Sequence, residues 1–262
     1  MSEQNKGILI TICMPVYNEV ETIDSSINSV LNQSYKNIEL LISDNCSTDG
    51  TFERLQKYKD PRIKLFQNKK NIGWRLNSNQ LLARASGTYV VTLHGDDVYK
   101  SHAFLERILQ LFEENENAGV IHFIPSKDFQ VVFKNKNKMN PEEYYSFIGS
   151  LRYMPPPTMT TYRNDAIKGT GHYIVDDWTG EARLSLQIAE RGYEALLEEN
   201  HYIERGSGLT AERKERLDPS YLKEQRYSQR YRFYTEHKTD PKIKGTDLLY
   251  LLEWMKKLKN KI

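Results

Sequence analysis

The first 123 residues alternate between short apolar runs and segments with helical spacing, and few folds accommodate that rhythm. Gly7-Ile-Leu-Ile-Thr-Ile-Cys-Met14 is the kind of apolar run that a buried strand requires. After Pro15-Val-Tyr-Asn18, apolar positions at Ile23, Ile27, Val30 and Leu31 take up helical spacing. Ile38 to Ser43 predicts a second strand, and Thr48 or Asp49 can cap a helix running to Tyr58. Ile63 to Phe66 reads as a short third strand, and Asn71-Ile-Gly73 opens a segment that turns helical and stops at Gly87. Thr88 to Leu93 is the fourth strand, Ser101 caps a helix from Ala103 to about Glu114, and Ala118 to Phe123 is the fifth strand. The fold class is therefore α/β, with a mostly parallel central sheet and helices on both faces. Right-handed crossovers collect the loops after each strand along one edge, where open sheets of this type bind ligands.

Those loops hold Tyr17, Asn18, Asp44, Asn45, Asp96 and Asp97. The run Thr88-Tyr-Val-Val-Thr-Leu93-His-Gly-Asp-Asp97 drives a strand into two adjacent carboxylates. Hard oxygen ligands at that place suit Mn2+ or Mg2+ shared with substrate phosphates. Each feature also has a plainer reading. Adjacent acids are common in solvated turns, and Asp44, Asn45 and Asp49 are residues that build the turn before a helix.

Composition narrows the setting. Apolar residues make up 39% and charged residues 27% of 262 residues, which is ordinary for a soluble domain. The apolar runs are too short to cross a bilayer, and the polar start, Met1-Ser-Glu-Gln-Asn-Lys, resembles no signal peptide. Cys13 and Cys46, near the predicted ends of neighbouring strands, have no metal-ligand spacing; free thiols in a reducing, cytoplasmic compartment are expected. The net charge of +2 hides an asymmetry, for residues 212–262 carry 14 Lys and Arg against 8 Asp and Glu. A near-neutral body with a basic tail argues against a general nucleic-acid binder and suits an anionic surface such as a membrane.

The second half is less regular. Asn135 to Pro141 is a polar connection, and Met154-Pro-Pro-Pro157 predicts an extended, rigid segment. A helix is expected from about Thr179 to Arg191, closed by Gly192, with a strand from Tyr193 to Leu197. His122, in an apolar strand, reads as a packed core residue. Gly206-Ser-Gly208 marks a loop, and from Pro219 on aromatic and basic residues interleave before an amphipathic helix at Leu248 to Leu258.

In this order the motifs resemble the inverting nucleotide-sugar glycosyltransferases of family 2, which have the GT-A fold. Cys13-Met-Pro-Val-Tyr-Asn-Glu19 is similar to the family's first-strand motif, and Ile42-Ser-Asp-Asn-Cys-Ser-Thr-Asp-Gly-Thr51 to its second-strand aspartate motif. Asn71-Ile-Gly73 resembles the Asn-x-Gly element, and Gly87 to Asp97 the strand that ends in the metal-binding acids. Asp176-Asp-Trp178, followed by Arg183-Leu184 and Gly192-Tyr193, is similar to the segment with the catalytic base. The resemblance spans residues 8 to 210. It implies a GT-A domain over 1–211, with a nucleotide-binding half (1–123) and an acceptor-binding half (124–211), followed by a helical tail over 212–262.

The resemblance also implies roles. Asp97 is the main metal ligand, with Asp96 on the ribose or bridging through water. Asp44 accepts a hydrogen bond from the imide N–H of a uracil-like base, and Tyr17 packs that base. Pro15, Glu19, Asn71 and Gly73 line the nucleotide site, and Arg205 lies in a segment, Tyr202 to Thr210, that resembles the loop folding over the diphosphate and equally suits a solvated loop. Apart from the resemblance, Arg75 is a candidate to face the phosphates, although helix surfaces carry many arginines. Asp177 takes the proton of the acceptor hydroxyl, with Asp176 as its rival; both acids also suit the first turn of a helix. His94 stands where the family frequently has another acid. The donor is expected to be a UDP-sugar and the acceptor a saccharide or lipid-linked saccharide of bacterial surface polysaccharide or lipopolysaccharide assembly. The alternative is a non-catalytic nucleotide-sugar-binding or scaffold protein with a worn site. For the tail, a helical cap on the domain, a membrane-surface helix and a homo-oligomer contact all suit the pattern.

Overall fold

The structure, a computed structural model, describes residues 7–126, 136–149, 157–170, 180–206, 235 and 239–241. Strand β1 (Ile10–Val16) is buried along its whole length, between β2 (Ile38–Asp44) and β4 (Tyr89–Thr92), both parallel to it. β3 (Ile63–Gln67) lies outside β2, also parallel. Successive side chains of β1 point to opposite faces, as strand geometry requires. Ile10, Ile12, Met14 and Val16 join one core, and Cys13 joins the other. The first core is closed by α1 (Ile23–Leu31) and α4 (Phe104–Glu114), whose Ile23, Ile27, Val30, Phe104 and Ile108 are buried in it. The second is closed by α3 (Trp74–Arg84), through Leu81 and Leu82. Helix α2 (Thr51–Leu55) is shorter than expected and starts after Gly50, whose φ of 93° suits glycine. Asp49 accepts from the backbone N–H groups of Thr51 and Val20 instead of occupying the cap. Similarly, Ser101 supports the start of α4 by accepting from the Ala103 N–H at 3.2 Å.

Past β6 (Ala118–Ile124) the sheet departs from simple alternation. Its order is β3-β2-β1-β4-β8-β6-β9-β7, with β7 (Lys138–Met139), β8 (Thr160–Arg163) and β9 (Glu194–Glu199) in the second half. β8 runs antiparallel between β4 and β6, so these two are not neighbours. A strand reading Thr-Thr-Tyr-Arg gives no apolar run, yet its first three residues are buried. The hydroxyl of Thr160 is placed against His122 Nδ1 at 3.1 Å, while Nε2 meets the Tyr144 hydroxyl at 2.7 Å. His122 is therefore a core residue, and burial pushes its pKa down to about 3, so the ring is neutral at ordinary pH. Helices α5 (Pro141–Gly149), α6 (Asn164–Ile167) and α7 (Gly180–Glu190) cover the second core beside β9. A two-stranded sheet pairs β5 (Val98–Tyr99) with β10 (Ile203–Glu204).

Both cysteines are free. Cys13 lies inside β1 rather than at its end, and burial, then the nearby Glu39 carboxylate, push its thiol up, so it is un-ionised. Of the basic tail only a few residues are described, among them Asp240, which accepts a hydrogen bond from the Tyr145 hydroxyl at 2.6 Å. The expected helix at 248–258 and the acids Asp176 and Asp177 lie outside the described residues.

Candidate active site

The carboxyl ends of β1 and β2 are braided together by side chains that satisfy backbone groups. Asn18, at φ 54°, takes a hydrogen bond from the Thr48 N–H on its Oδ1, and its own N–H donates to Ser47 Oγ. The Glu19 N–H donates to Thr51 Oγ1 at 2.9 Å. Burial pushes the Asp49 carboxyl up, but hydrogen bonds from Thr51 and Val20 outweigh that and hold it below the usual range. Pro15 occupies a position in β1 that faces β4 beyond the last paired rung, Cys13 with Thr92, so its missing N–H breaks no ladder. Tyr17, at 38% exposure, stands out from this edge as an uncovered ring.

Asp44 closes β2 and is fully buried. Its Oδ2 accepts from the Ser47 N–H at 3.1 Å and from Gln67 Nε2 at 3.3 Å. Its Oδ1 is buried with no hydrogen-bond partner among the described residues. An acceptor-only group in that state is costly unless a ligand completes it. Next to it Asn45 is a hub: its amide donates to Asn71 Oδ1, and its oxygen accepts from Asn68 Nδ2 and the Ile72 N–H. Asn71 also takes the Gly73 N–H, and Gly73, at φ 81°, turns the chain into α3. Asn77 ties α3 to β2 by donating to the Ser43 carbonyl.

The second part of the site follows β4. His94, Asp96 and Asp97 each offer one ligand atom, and these atoms lie within 4.8 Å of one another. The Asp97 N–H donates to the His94 carbonyl at 3.1 Å, which closes the turn that presents all three. Asp97 is only 2% exposed. Its Oδ1 accepts from the Gly206 N–H at 2.9 Å, while its Oδ2 has no partner among the described residues. Behind it Tyr99 buries its hydroxyl; burial, then the Asp97 carboxylate, push that phenol up. Two glycines let the backbone close in. A Cβ at Gly95 would come within 2.0 Å of Glu19 Oε2, and one at Gly206 within 2.2 Å of the Asp96 carbonyl. Glu19 thus packs against the turn that holds Asp96. Arg75 lies over the Trp74 ring at 4.4 Å, and Trp74 sits 6.4 Å from the His94 ring.

The structure therefore gathers Asp44, Asn71 and Gly73 at one end of the edge, and Asp96 and Asp97 at the other, with exposed Arg205 adjoining Gly206. Asn45, which the sequence places in the edge loops, organises this end of the site, and Gly95 and Gly206 support it without an expected role there. For Asn45 the signal was its place beside Asp44; for Gly206 no local signal exists, because its partner is 109 residues away. The donor set fits a divalent ion on two counts: a buried carboxylate oxygen with no partner among the described residues, and two further donors beside it.

A family model, glycosyl transferase family 2, matches residues 11–175. Among characterised relatives, the Escherichia coli UDP-Glc:alpha-D-GlcNAc-diphosphoundecaprenol beta-1,3-glucosyltransferase WfgD is 37% identical over 107 residues, 41% of this chain and 42% of that protein. WfaP, of the same description and organism, is 32% identical over 134 residues, 50% of this chain and 53% of its own. The chain thus spans about half, or less, of the length of these relatives. The structure of S. aureus TarS 1-349 in complex with UDP-GlcNAc superimposes with a TM-score of 0.69 at 18% identity, over 97% of this chain and 73% of that one. The Pyrobaculum calidifontis mannosyltransferase PcManGT, in complex with GDP-Man and Mn2+, gives 0.67 at 17%, over 92% and 67%. At such identities the superpositions speak for the fold, which is GT-A. With the family model covering well over half of its length, from β1 onward, this chain belongs to glycosyl transferase family 2.

Proposed function

We propose that this chain transfers a sugar from a UDP-sugar to a hydroxyl of a saccharide or lipid-linked saccharide, with inversion, in the assembly of a bacterial surface polysaccharide. The observation that carries the reading is a pair of carboxylate oxygens, Asp44 Oδ1 and Asp97 Oδ2, buried at one sheet edge with no hydrogen-bond partner among the described residues. β2 and β4 lie on either side of β1, two strand spacings or roughly 10 Å apart. A nucleoside diphosphate laid across that edge meets an acceptor at the base end and a donor cluster at the phosphate end. Asp44 accepts the uracil imide N–H, Tyr17 covers the base, and Asp96 holds the ribose. Asp97, with Asp96 beside it, would hold Mn2+ or Mg2+, and a divalent ion there supplies charge neutralisation to the departing diphosphate.

The chemistry left to the chain is orientation and one proton transfer. Asp177, or its neighbour Asp176, takes the proton as the acceptor oxygen bonds to the anomeric carbon, and the glycosidic electron pair leaves with the diphosphate. Arg75 and Arg205 add positive charge on the phosphate side. Residues 1–211 form the catalytic unit in this reading, and the basic tail is an appendage. No helix among the described residues is long and apolar enough to cross a membrane. A lipid-linked acceptor, of the kind named for WfgD, would bring the chain to the inner membrane face, where a basic tail is favourable.

The test is calorimetric titration with UDP-, dTDP- and GDP-sugars, with Mn2+ and then with EDTA. UDP-sugar binding that collapses with EDTA and in Asp97→Ala is the expected result. Transfer should vanish in Asp177→Asn while donor binding survives. Metal-independent binding, or none across the panel, sinks the reading; binding without any transfer by the native chain would return it to the scaffold alternative.

A further inference from the structure

The donor cluster after β4 differs from an all-carboxylate site in one atom type. Its third member is an imidazole. We propose that His94 is a metal ligand and that it biases this site toward Mn2+ and other nitrogen-accepting divalent ions at the expense of Mg2+. The proposal rests on the reading of Asp97 as a metal ligand given above, and it goes beyond that reading by assigning a further ligand and a metal preference.

Three observations carry it. The ligand atoms of His94, Asp96 and Asp97 lie within 4.8 Å of one another, close enough for small rotamer changes to bring them onto one ion. Asp97, 2% exposed, keeps Oδ2 without a partner among the described residues although Oδ1 is engaged by Gly206, so a buried acceptor of this turn is available to a cation. The imidazole is also positioned rather than loose. The His94 carbonyl closes the turn onto the Asp97 N–H, Trp74 packs 6.4 Å from its ring, and Arg75 backs Trp74. Gly95 lets this turn lie tight against Glu19.

The chemistry then sets the preference. Mg2+ demands near-ideal octahedral oxygen coordination and keeps its waters, whereas imidazole nitrogen suits the transition metals. A site with two carboxylates and one imidazole discriminates against Mg2+ by ligand type. With an aspartate at position 94 it would become a hard, all-oxygen site.

The test uses the full chain with saturating UDP, titrated with MnCl2 and with MgCl2, together with pulsed EPR of the Mn2+ complex. The native chain should show coupling from a directly bound nitrogen. In His94→Asp that coupling should disappear, and the ratio of Mn2+ to Mg2+ affinity should fall at least about tenfold, the scale on which even outer-shell partners alter metal binding. His94→Gln, equally free of imidazole, should lose the coupling too and weaken Mn2+. Mn2+ that binds without nitrogen coupling, or a metal ratio equal in native chain and His94→Asp, overturns the proposal. If in that case Asp97→Ala still abolishes metal binding, the functional reading stands without His94. If neither metal binds the native chain at all, the metal-dependent reading falls with it.

Discussion

Strand β2 carries a buried carboxylate near each end, and the two have opposite surroundings. Glu39, at the amino-terminal edge, has both oxygens engaged: Oε1 accepts from Thr11 Oγ1 at 2.6 Å and from the N–H and hydroxyl of Ser86, and Oε2 meets Lys64 Nζ at 2.7 Å. Asp44, at the carboxyl-terminal edge, has one oxygen engaged and one without a partner among the described residues. Both are nearly inaccessible, at 5% and 0% exposure. Burial alone therefore does not distinguish a structural acid from a functional one. The distinguishing property is how many of its acceptor sites the protein itself fills. A filled carboxylate ties strands together; an open one is a cost to the free protein that a ligand removes.

The contrast breaks cleanly under a crossed pair of substitutions. Asp44→Asn keeps an acceptor for Ser47 and Gln67 but gives up the charge facing the ligand. With that oxygen kept for Ser47 and Gln67, the asparagine Nδ2 donors face the imide donor and the charged hydrogen bond is lost, about 1.5–3 kcal/mol, so UDP should bind roughly 10- to 100-fold more weakly. Its melting midpoint should stay close to that of the native chain. Glu39→Gln should do the reverse. Lys64 is 57% exposed and can turn to water, so the loss falls mainly on the Thr11 and Ser86 bonds, about 1–2 kcal/mol. That lowers the midpoint by roughly 2–8 °C with UDP affinity unchanged. Calorimetry and thermal melts on the two variants decide it. If both lose stability equally and both keep UDP, the open oxygen of Asp44 has no ligand-binding meaning.

Within the carboxyl-terminal edge a second difference can be sharpened. Asp44 is held by Ser47 in the loop after its own strand and by Gln67 on β3, while Asp97 depends on Gly206, delivered by the pairing of β10 with β5. Gly206→Ala places a methyl group against the Asp96 backbone, where something must shift. Mn2+ affinity in the presence of UDP should fall about three- to tenfold, a smaller loss than at Asp44 because Asp97 itself remains. Affinity for uridine, which keeps the ribose beside Asp96 but has no phosphate to reach the metal end, should fall less. Equal losses for uridine and Mn2+ would show that the two ends of the edge are one cooperative unit.

The same asymmetry explains what was legible in the sequence. β1, β2, β4 and β6 are buried, with long apolar runs, and their order and the convergence of their loops follow from that pattern. Asp44, Asp96 and Asp97 are legible because they sit where a strand ends. β8 is not, since Thr160 and Thr161 carry hydroxyls whose burial depends on tertiary partners such as His122. β5 and β10 have two residues each, too few for any period, and their pairing is a long-range event. The second core is built from polar-looking segments for the same reason: Tyr144, Tyr145 and Tyr162 are buried in it, and a tyrosine alone does not announce burial.

The last contrast, between two buried titratable groups, concerns acid. Glu39 is pushed up by burial, but Lys64, Thr11 and Ser86 outweigh that and hold it at about 2, against 4.5 for a free glutamate. Its stabilisation is present above pH 4.5 and is lost as pH falls toward 2. His122, pushed by burial to about 3 from 6.5, acts in a higher window: the unfolded chain takes up its proton first, so stability is lost as pH falls from 6.5 toward 3. The two contributions share a sign and overlap only between about pH 3 and 4.5. Thermal melts across pH 7 to 3 should therefore show a gradual decline that begins near 6.5. His122→Gln should flatten the decline from 6.5 to 4.5 and reduce its slope below that, whereas Glu39→Gln should reduce the slope only below 4.5. A melting midpoint that stays level from pH 7 to 4 would mean that the His122 ring is not held neutral between Thr160 and Tyr144, and the polar packing of the second core would need another account.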